Sequence, residues 1–142
     1  MSNRSLYNQI LTEHNAAPLY KRKLADANVS KDGVNPTCGD EVTLELLVKG
    51  DTIVDGAFHG YGCAISQASV DIMLDMIIGK TKEEANALAD LFFKMIQGQA
   101  SEEDLEILQE AGALQDIARM PARVKCAVLG WHTMKEALQT DT

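Results

Sequence analysis

From Val42 the chain alternates strictly between apolar and polar residues, with Val42, Leu44, Leu46 and Val48 on one face and Thr43, Glu45 and Lys49 on the other. A period of two predicts a strand with one buried face. Gly50-Asp51 supplies turn chemistry, and residues 52–59 resume the pattern with Ile53, Val54 and Phe58, which predicts an antiparallel hairpin. Two strands alone are marginal in water, so a third strand or a helical cover is expected.

On either side of this hairpin the period is helical. Leu6, Ile10 and Leu11 predict a short helix over residues 3–16, ending before Pro18, because the residue preceding a proline is pushed out of helical geometry. Residues 17–41 read as loop: they carry the basic triplet Lys21-Arg22-Lys23 and the turn-forming pairs Asp32-Gly33 and Asn35-Pro36, with few apolar anchors. After Gly60-Tyr61-Gly62-Cys63, the spacing of Ile65, Ile72, Met73 and Met76 predicts a helix stopped at Gly79. Thr81 followed three residues later by Glu84 is a capping box that opens a helix through Leu88, Leu91, Phe92 and Met95 to about Gly98. Ser101 starts a short helix with Leu105 and Leu108 that ends near Gly112, and Pro121 opens a last one carrying Val124, Val128, Trp131 and Leu138. Strands followed by helices predict an α+β fold, a small antiparallel sheet of about three strands packed against several helices.

With 142 residues, 46% of them hydrophobic, the chain is expected to form one domain with a real core. Thirteen basic against 21 acidic side chains leave a formal charge of -8, the wrong sign for neutralising phosphates, so no nucleic-acid partner is expected. In so acidic a chain the basic triplet is a solvated patch or a dock for an acidic partner surface. No apolar run approaches the length of a membrane span, and the first residues lack the apolar stretch of a signal peptide, so no membrane partner is expected and the chain reads as cytoplasmic.

The three cysteines, Cys38, Cys63 and Cys126, are an odd number spread far apart, unlike a disulfide framework. Cys38 falls in the turn sequence Pro36-Thr37-Cys38-Gly39-Asp40, and a loop thiol is more often functional than structural. Cys63 stands between a glycine-rich turn and the first turn of a helix, a reactive or ligating position. Cys126, two residues from both Val124 and Val128, is predicted to project about 200° away from the apolar seam of its helix. Asp40, one residue beyond Cys38, is a fourth candidate. Three sulfurs and one oxygen suit Zn²⁺ or iron–sulfur chemistry and disfavour Mg²⁺ and Ca²⁺, which prefer oxygen shells. The spacing lacks the Cys-x-x-Cys pairs of structural zinc sites, so a metal site, unconnected cysteines and a thiol nucleophile all stay open on the residues alone. Among the histidines, His14, His59 and His132, only His59 is close in sequence to a cysteine, and neighbours on a strand end rarely make a catalytic pair. His132 reads as a surface residue.

Thr37-Cys38-Gly39-Asp40, Gly60-Tyr61-Gly62-Cys63-Ala64-Ile65-Ser66 and Val124-Lys125-Cys126 resemble, in that order, the three cysteine motifs of the IscU-like iron–sulfur assembly family. The resemblance covers nearly the whole chain and implies an IscU/SufU-like fold over residues 1–142. Scaffold members carry His directly before the third cysteine, where this chain has Lys125, and about twenty residues, near 98–119, look inserted between the second and third motifs. Both features, with Arg123 three residues before Cys126, resemble the SufU branch. That branch implies a zinc ion held by Cys38, Asp40, Cys63 and Cys126, and a sulfurtransferase-like role in which Cys38 accepts persulfide sulfur from a PLP-dependent cysteine desulfurase of the SufS type. It implies further Suf assembly proteins downstream, and Arg123 is either a supporting charge for the thiolates or persulfide or a solvent-facing side chain. The alternative is a scaffold that builds a labile iron–sulfur cluster on the same residues, three Cys and one Asp in place of the usual four Cys. A zinc-stabilised interaction domain without sulfur chemistry is the third reading.

Overall fold

The structure, a computed structural model, describes residues 3–36 and 39–140. Its sheet has three antiparallel strands in sequence order, β1 (Val29–Asn35), β2 (Asp40–Lys49) and β3 (Thr52–Tyr61). The predicted hairpin is β2–β3, closed at Lys49↔Thr52, with Gly50 at φ +61°, a backbone that L side chains resist. Val42, Leu44, Leu46 and Val48 are all buried, as their alternation predicts.

The third strand lies where the sequence reads as loop. β1 pairs with β2 from Val29↔Leu46 to Asn35↔Asp40. Its inward positions do not look like a strand because a helix comes too near for large side chains. A Cβ on Gly33 would stand 2.0 Å from Thr133 Oγ1. The segment before β1 is ordered too: Arg22 N–H donates to the Phe58 carbonyl (2.9 Å) and Phe58 N–H to the Tyr20 carbonyl (3.0 Å). These bonds cover the outer edge of β3, which would otherwise present unpaired backbone groups. Lys21, Arg22 and Lys23 are exposed, and Arg22 pairs with Asp55 at 3.1 Å.

Among the described residues, five α-helices complete the fold: α1 (Asn3–Ala16), α2 (Ala64–Ile77), α3 (Lys82–Ile96), α4 (Glu102–Leu108) and α5 (Pro121–Thr140). The Thr81/Glu84 capping box forms as expected, and Ser101 and Asp104 make a second one. α4 is shorter than predicted. It ends at Leu108, Gln109 takes a positive φ (+51°), and residues Gln109–Arg119 continue as a 3₁₀ segment that buries Ala111, Leu114 and Ile117.

α2 is buried almost all round, between the sheet, α1 and α5. Trp131 of α5 is fully buried, stacks on Phe92 at 4.5 Å and donates its ring N–H to Ser69 Oγ (3.1 Å). Because α5 packs against β1, α2 and α3 at once, its buried surface exceeds the predicted seam. Cys126, predicted to point away from the core, is completely buried, whereas Val124 and Val128 are only partly so.

Candidate metal centre

Asp40 opens β2, Cys63 is the N-cap of α2 and Cys126 lies in the second turn of α5. Their ligand atoms all fall within 4.8 Å of one another, although the residues are up to 86 positions apart in the chain. Two glycines make the approach possible. Gly60 has φ +130°, and a Cβ there would meet the Glu41 carbonyl at 2.3 Å, so the end of β3 passes too close to β2 for a side chain. A Cβ on Gly62 would meet Ser66 Oγ at 2.5 Å and Asp40 Oδ1 at 2.6 Å. With both positions bare, the Cys63 N–H reaches Asp40 Oδ1 at 2.8 Å.

Asp40 is 1% exposed, and its second oxygen, Oδ2, has no hydrogen-bond partner. A carboxylate oxygen buried without a donor is costly unless a cation completes it. Two cysteine sulfurs stand beside it, Cys63 half-buried and Cys126 buried. Sulfur and carboxylate together fit Zn²⁺ or iron and do not fit Mg²⁺ or Ca²⁺. Cys38, the fourth candidate, lies outside the described residues. Arg123 is exposed on the first turn of α5, with no ion pair among the described residues.

The histidines go elsewhere. His59 Nε2 faces Glu45 Oε1 at 3.3 Å, and His132 is exposed and stacks on Phe93 at 4.3 Å. His14, one turn after Ile10 on the docking stripe of α1, is buried between two carboxylates: Nδ1 lies 2.5 Å from Asp71 Oδ2, and Nε2 pairs with Glu110. Burial works against its charged form, but the hydrogen bonds to Asp71 and Glu110 outweigh it and hold the His14 pKa above its ordinary value. Sequence reasoning missed this cluster. Its signal was a polar residue on each of two apolar helix stripes, His14 on α1 and Asp71 on α2. It also took Asn35 for a turn residue, whereas Asn35 is buried at the end of β1 with an unpartnered Nδ2.

The comparisons with known proteins agree with this fold. The family description NifU-like N terminal domain matches residues 6–140. The iron–sulfur cluster assembly scaffold protein IscU of Streptococcus pyogenes is 43% identical over 140 residues, covering 94% of this chain and 83% of the relative. The zinc-dependent sulfurtransferase SufU of Bacillus subtilis is 37% identical over 137 residues, covering 96% and 92%. A solved structure from Fervidobacterium islandicum, described as an iron–sulfur cluster assembly scaffold protein for the SUF system, superposes with a TM-score of 0.83 at 38% identity, covering 96% and 99%. A three-stranded sheet whose open end gathers Asp40, Cys63 and Cys126 thus comes with matches along almost the entire sequence, and the chain belongs to the NifU-like N-terminal domain family, among IscU and SufU relatives.

Proposed function

We propose that the protein is a zinc-dependent sulfur acceptor of the SufU type, taking persulfide sulfur from a SufS-type, PLP-dependent cysteine desulfurase for iron–sulfur cluster assembly in the cytoplasm. One observation carries the reading: two cysteine sulfurs and an unpartnered, buried Asp40 oxygen converge at the open end of the sheet. Cys63, Cys126, Asp40 and Cys38, two positions before Asp40 in the sequence, would hold the ion. Zinc, when bound, keeps thiols deprotonated at neutral pH and protects them from oxidation. Lys125, in place of the histidine that scaffold members carry, and the α4–3₁₀ segment over the inserted region support the SufU branch over the scaffold branch.

In the reaction, the Cys38 thiolate attacks the outer sulfur of the persulfide on the desulfurase cysteine. A new S–S bond forms on Cys38, the donor S–S bond breaks, and the electron pair and then a proton go to the donor cysteine, so there is no net oxidation. Arg123 would steady the anionic sulfur. The surroundings suit a protein partner. Val34, Glu41 and Tyr61 form one row across the sheet at the end that bears Asp40, and Val34 and Tyr61 are 56% and 62% exposed.

The scaffold reading is favoured by the IscU relative at 43% identity and is tested by the same experiments. Protein purified without oxygen is expected to carry about one zinc per chain and no visible absorption. Iron and sulfide in equal amounts with a brown chromophore would make it a scaffold. Cys38→Ala is expected to abolish stimulation of desulfurase turnover while retaining zinc on the three remaining ligands and a water. Full stimulation by that variant would remove Cys38 from the acceptor role.

A further inference from the structure

Asn35 ends β1 directly across the ladder from Asp40. Both side chains are buried, Asn35 at 6% exposure, and each has one polar atom without a partner, Nδ2 on Asn35 and Oδ2 on Asp40. A buried amide N–H that has given up water without finding an acceptor is rare in folded proteins. Its position narrows the acceptor. Gly33, two residues earlier and therefore on the same face of β1, lies against Thr133 of α5, the helix that also carries Cys126. The Asn35 side chain therefore belongs to the face that meets α5, in the same ladder row as Asp40. A cleft of about 400 Å³ between β1 and α5 is lined at this end by Asn35 and Lys125, the neighbour of Cys126.

We propose that Asn35 is a positioning residue of the metal centre, its Nδ2 donating a hydrogen bond to a sulfur ligand of the bound ion. The inference rests on the metal reading above. Asp40 is not the acceptor. Its Oδ1 already accepts from the Cys63 N–H, and its Oδ2 is the oxygen left for the ion. The cysteine sulfurs gathered beside Asp40 are the acceptors that a bound ion would bring to Nδ2. An amide N–H on a thiolate withdraws charge from the sulfur and fixes its direction, the usual service of groups just outside a metal's own ligands. In a sulfur acceptor it would also set how easily one thiolate leaves the ion.

The test uses the full chain with Zn²⁺ alone and Co²⁺ alone, and no desulfurase. Asn35→Leu removes the donor and the unpaired polar atom, whereas Asn35→Asp keeps the shape and replaces the donor by a negative charge. Chelator competition is expected to show zinc held about 10- to 100-fold more weakly by Asn35→Leu, and more weakly still by Asn35→Asp. The sulfur-to-cobalt absorption band of Asn35→Leu is expected to move to longer wavelength, because a thiolate without its hydrogen bond is a better electron donor. The melting temperature of metal-free Asn35→Leu is expected to equal or exceed that of the native chain, a result that a purely structural asparagine would not give. Zinc affinity within twofold of native and an unmoved cobalt band would overturn the inference while leaving the sulfur-acceptor reading intact. Should Asn35→Leu fail to fold, native-like zinc affinity in Asn35→Asp overturns it equally. Failure of the native chain to bind either ion would sink the metal reading itself.

Discussion

An imidazole can donate from both nitrogens only when it is protonated, and His14 has a carboxylate on each. Asp71 is completely buried and also accepts the backbone N–H groups of Leu19 (3.1 Å) and Tyr20 (2.8 Å), so it stays satisfied on one side whatever His14 does. The Tyr20 hydroxyl donates to Asp75 at 2.8 Å; burial, then the Asp75 carboxylate, push its pKa up to about 12, which keeps it a donor at any ordinary pH. The variable member of the cluster is His14, and its effect on stability has a definite sign. With the folded pKa above the ordinary 6.5, the charged clamp contributes fully below about pH 6.5 and is lost as pH rises through the folded value. Thermal unfolding from pH 5.5 to 9 is expected to show a fall in melting temperature across that window, which His14→Gln does not share. Removing the imidazole leaves Asp71 with a buried charge and two backbone donors, a loss of about 2–4 kcal/mol at pH 6. Equal pH profiles for the two proteins would show that the imidazole is not charged in the fold.

Between elements, the centre depends on how closely the end of β3 can pass the start of β2 and feed α2. Gly62→Ala places a methyl 2.6 Å from Asp40 Oδ1 and 2.5 Å from Ser66 Oγ, which pushes the carboxylate off the Cys63 N–H. The expected result is zinc bound at least about tenfold more weakly, with only about 1–2 kcal/mol lost from the metal-free fold, read by chelator competition and denaturant unfolding. Unchanged zinc affinity would mean that Asp40 does not depend on this turn. The same close approaches decided which elements were legible in the sequence. The β2–β3 hairpin was, because Val42, Leu44, Leu46 and Val48 alternate without interruption, and α3 was, because its capping box is a local signal. β1 was not, since the proximity of α5 puts Gly33 and Asn35 where a strand would normally show apolar residues. Cys126 was misplaced for a related reason. Its helix touches the sheet and two other helices, so a stripe drawn through Val124, Val128 and Trp131 describes only part of its buried surface. The motifs point to Asp40, Cys63 and Cys126 as candidates, but the convergence of the three rests on contacts 23 and 86 positions apart, which no local pattern encodes.

Across the whole molecule, Asp40, Cys63 and Cys126 tie the first residue of a central strand to the starts of the two helices that pack against the sheet. An ion held there joins elements that the core also joins, since the buried apolar cluster runs from Ile10 in α1 to Leu138 in α5 and takes in Cys126 itself. Metal and core therefore reinforce each other, unlike a zinc finger, in which the ion substitutes for a core. Zinc at a thousandfold excess over its dissociation constant adds about 4 kcal/mol to the folded state. For a chain of 142 residues that is roughly 10–15 °C in melting temperature. Stripping the metal with a chelator is expected to lower the melting temperature by that order while leaving one cooperative transition and native secondary structure by circular dichroism. Cys126→Ser and Cys63→Ser are expected to lower the zinc-loaded melting temperature toward the metal-free value, and Cys126→Ser to lower the metal-free one as well, because its side chain is completely buried. A metal-free chain without a cooperative transition would show that the ion is part of the core. An identical melting temperature with and without zinc would show that these three residues do not share an ion in the folded protein.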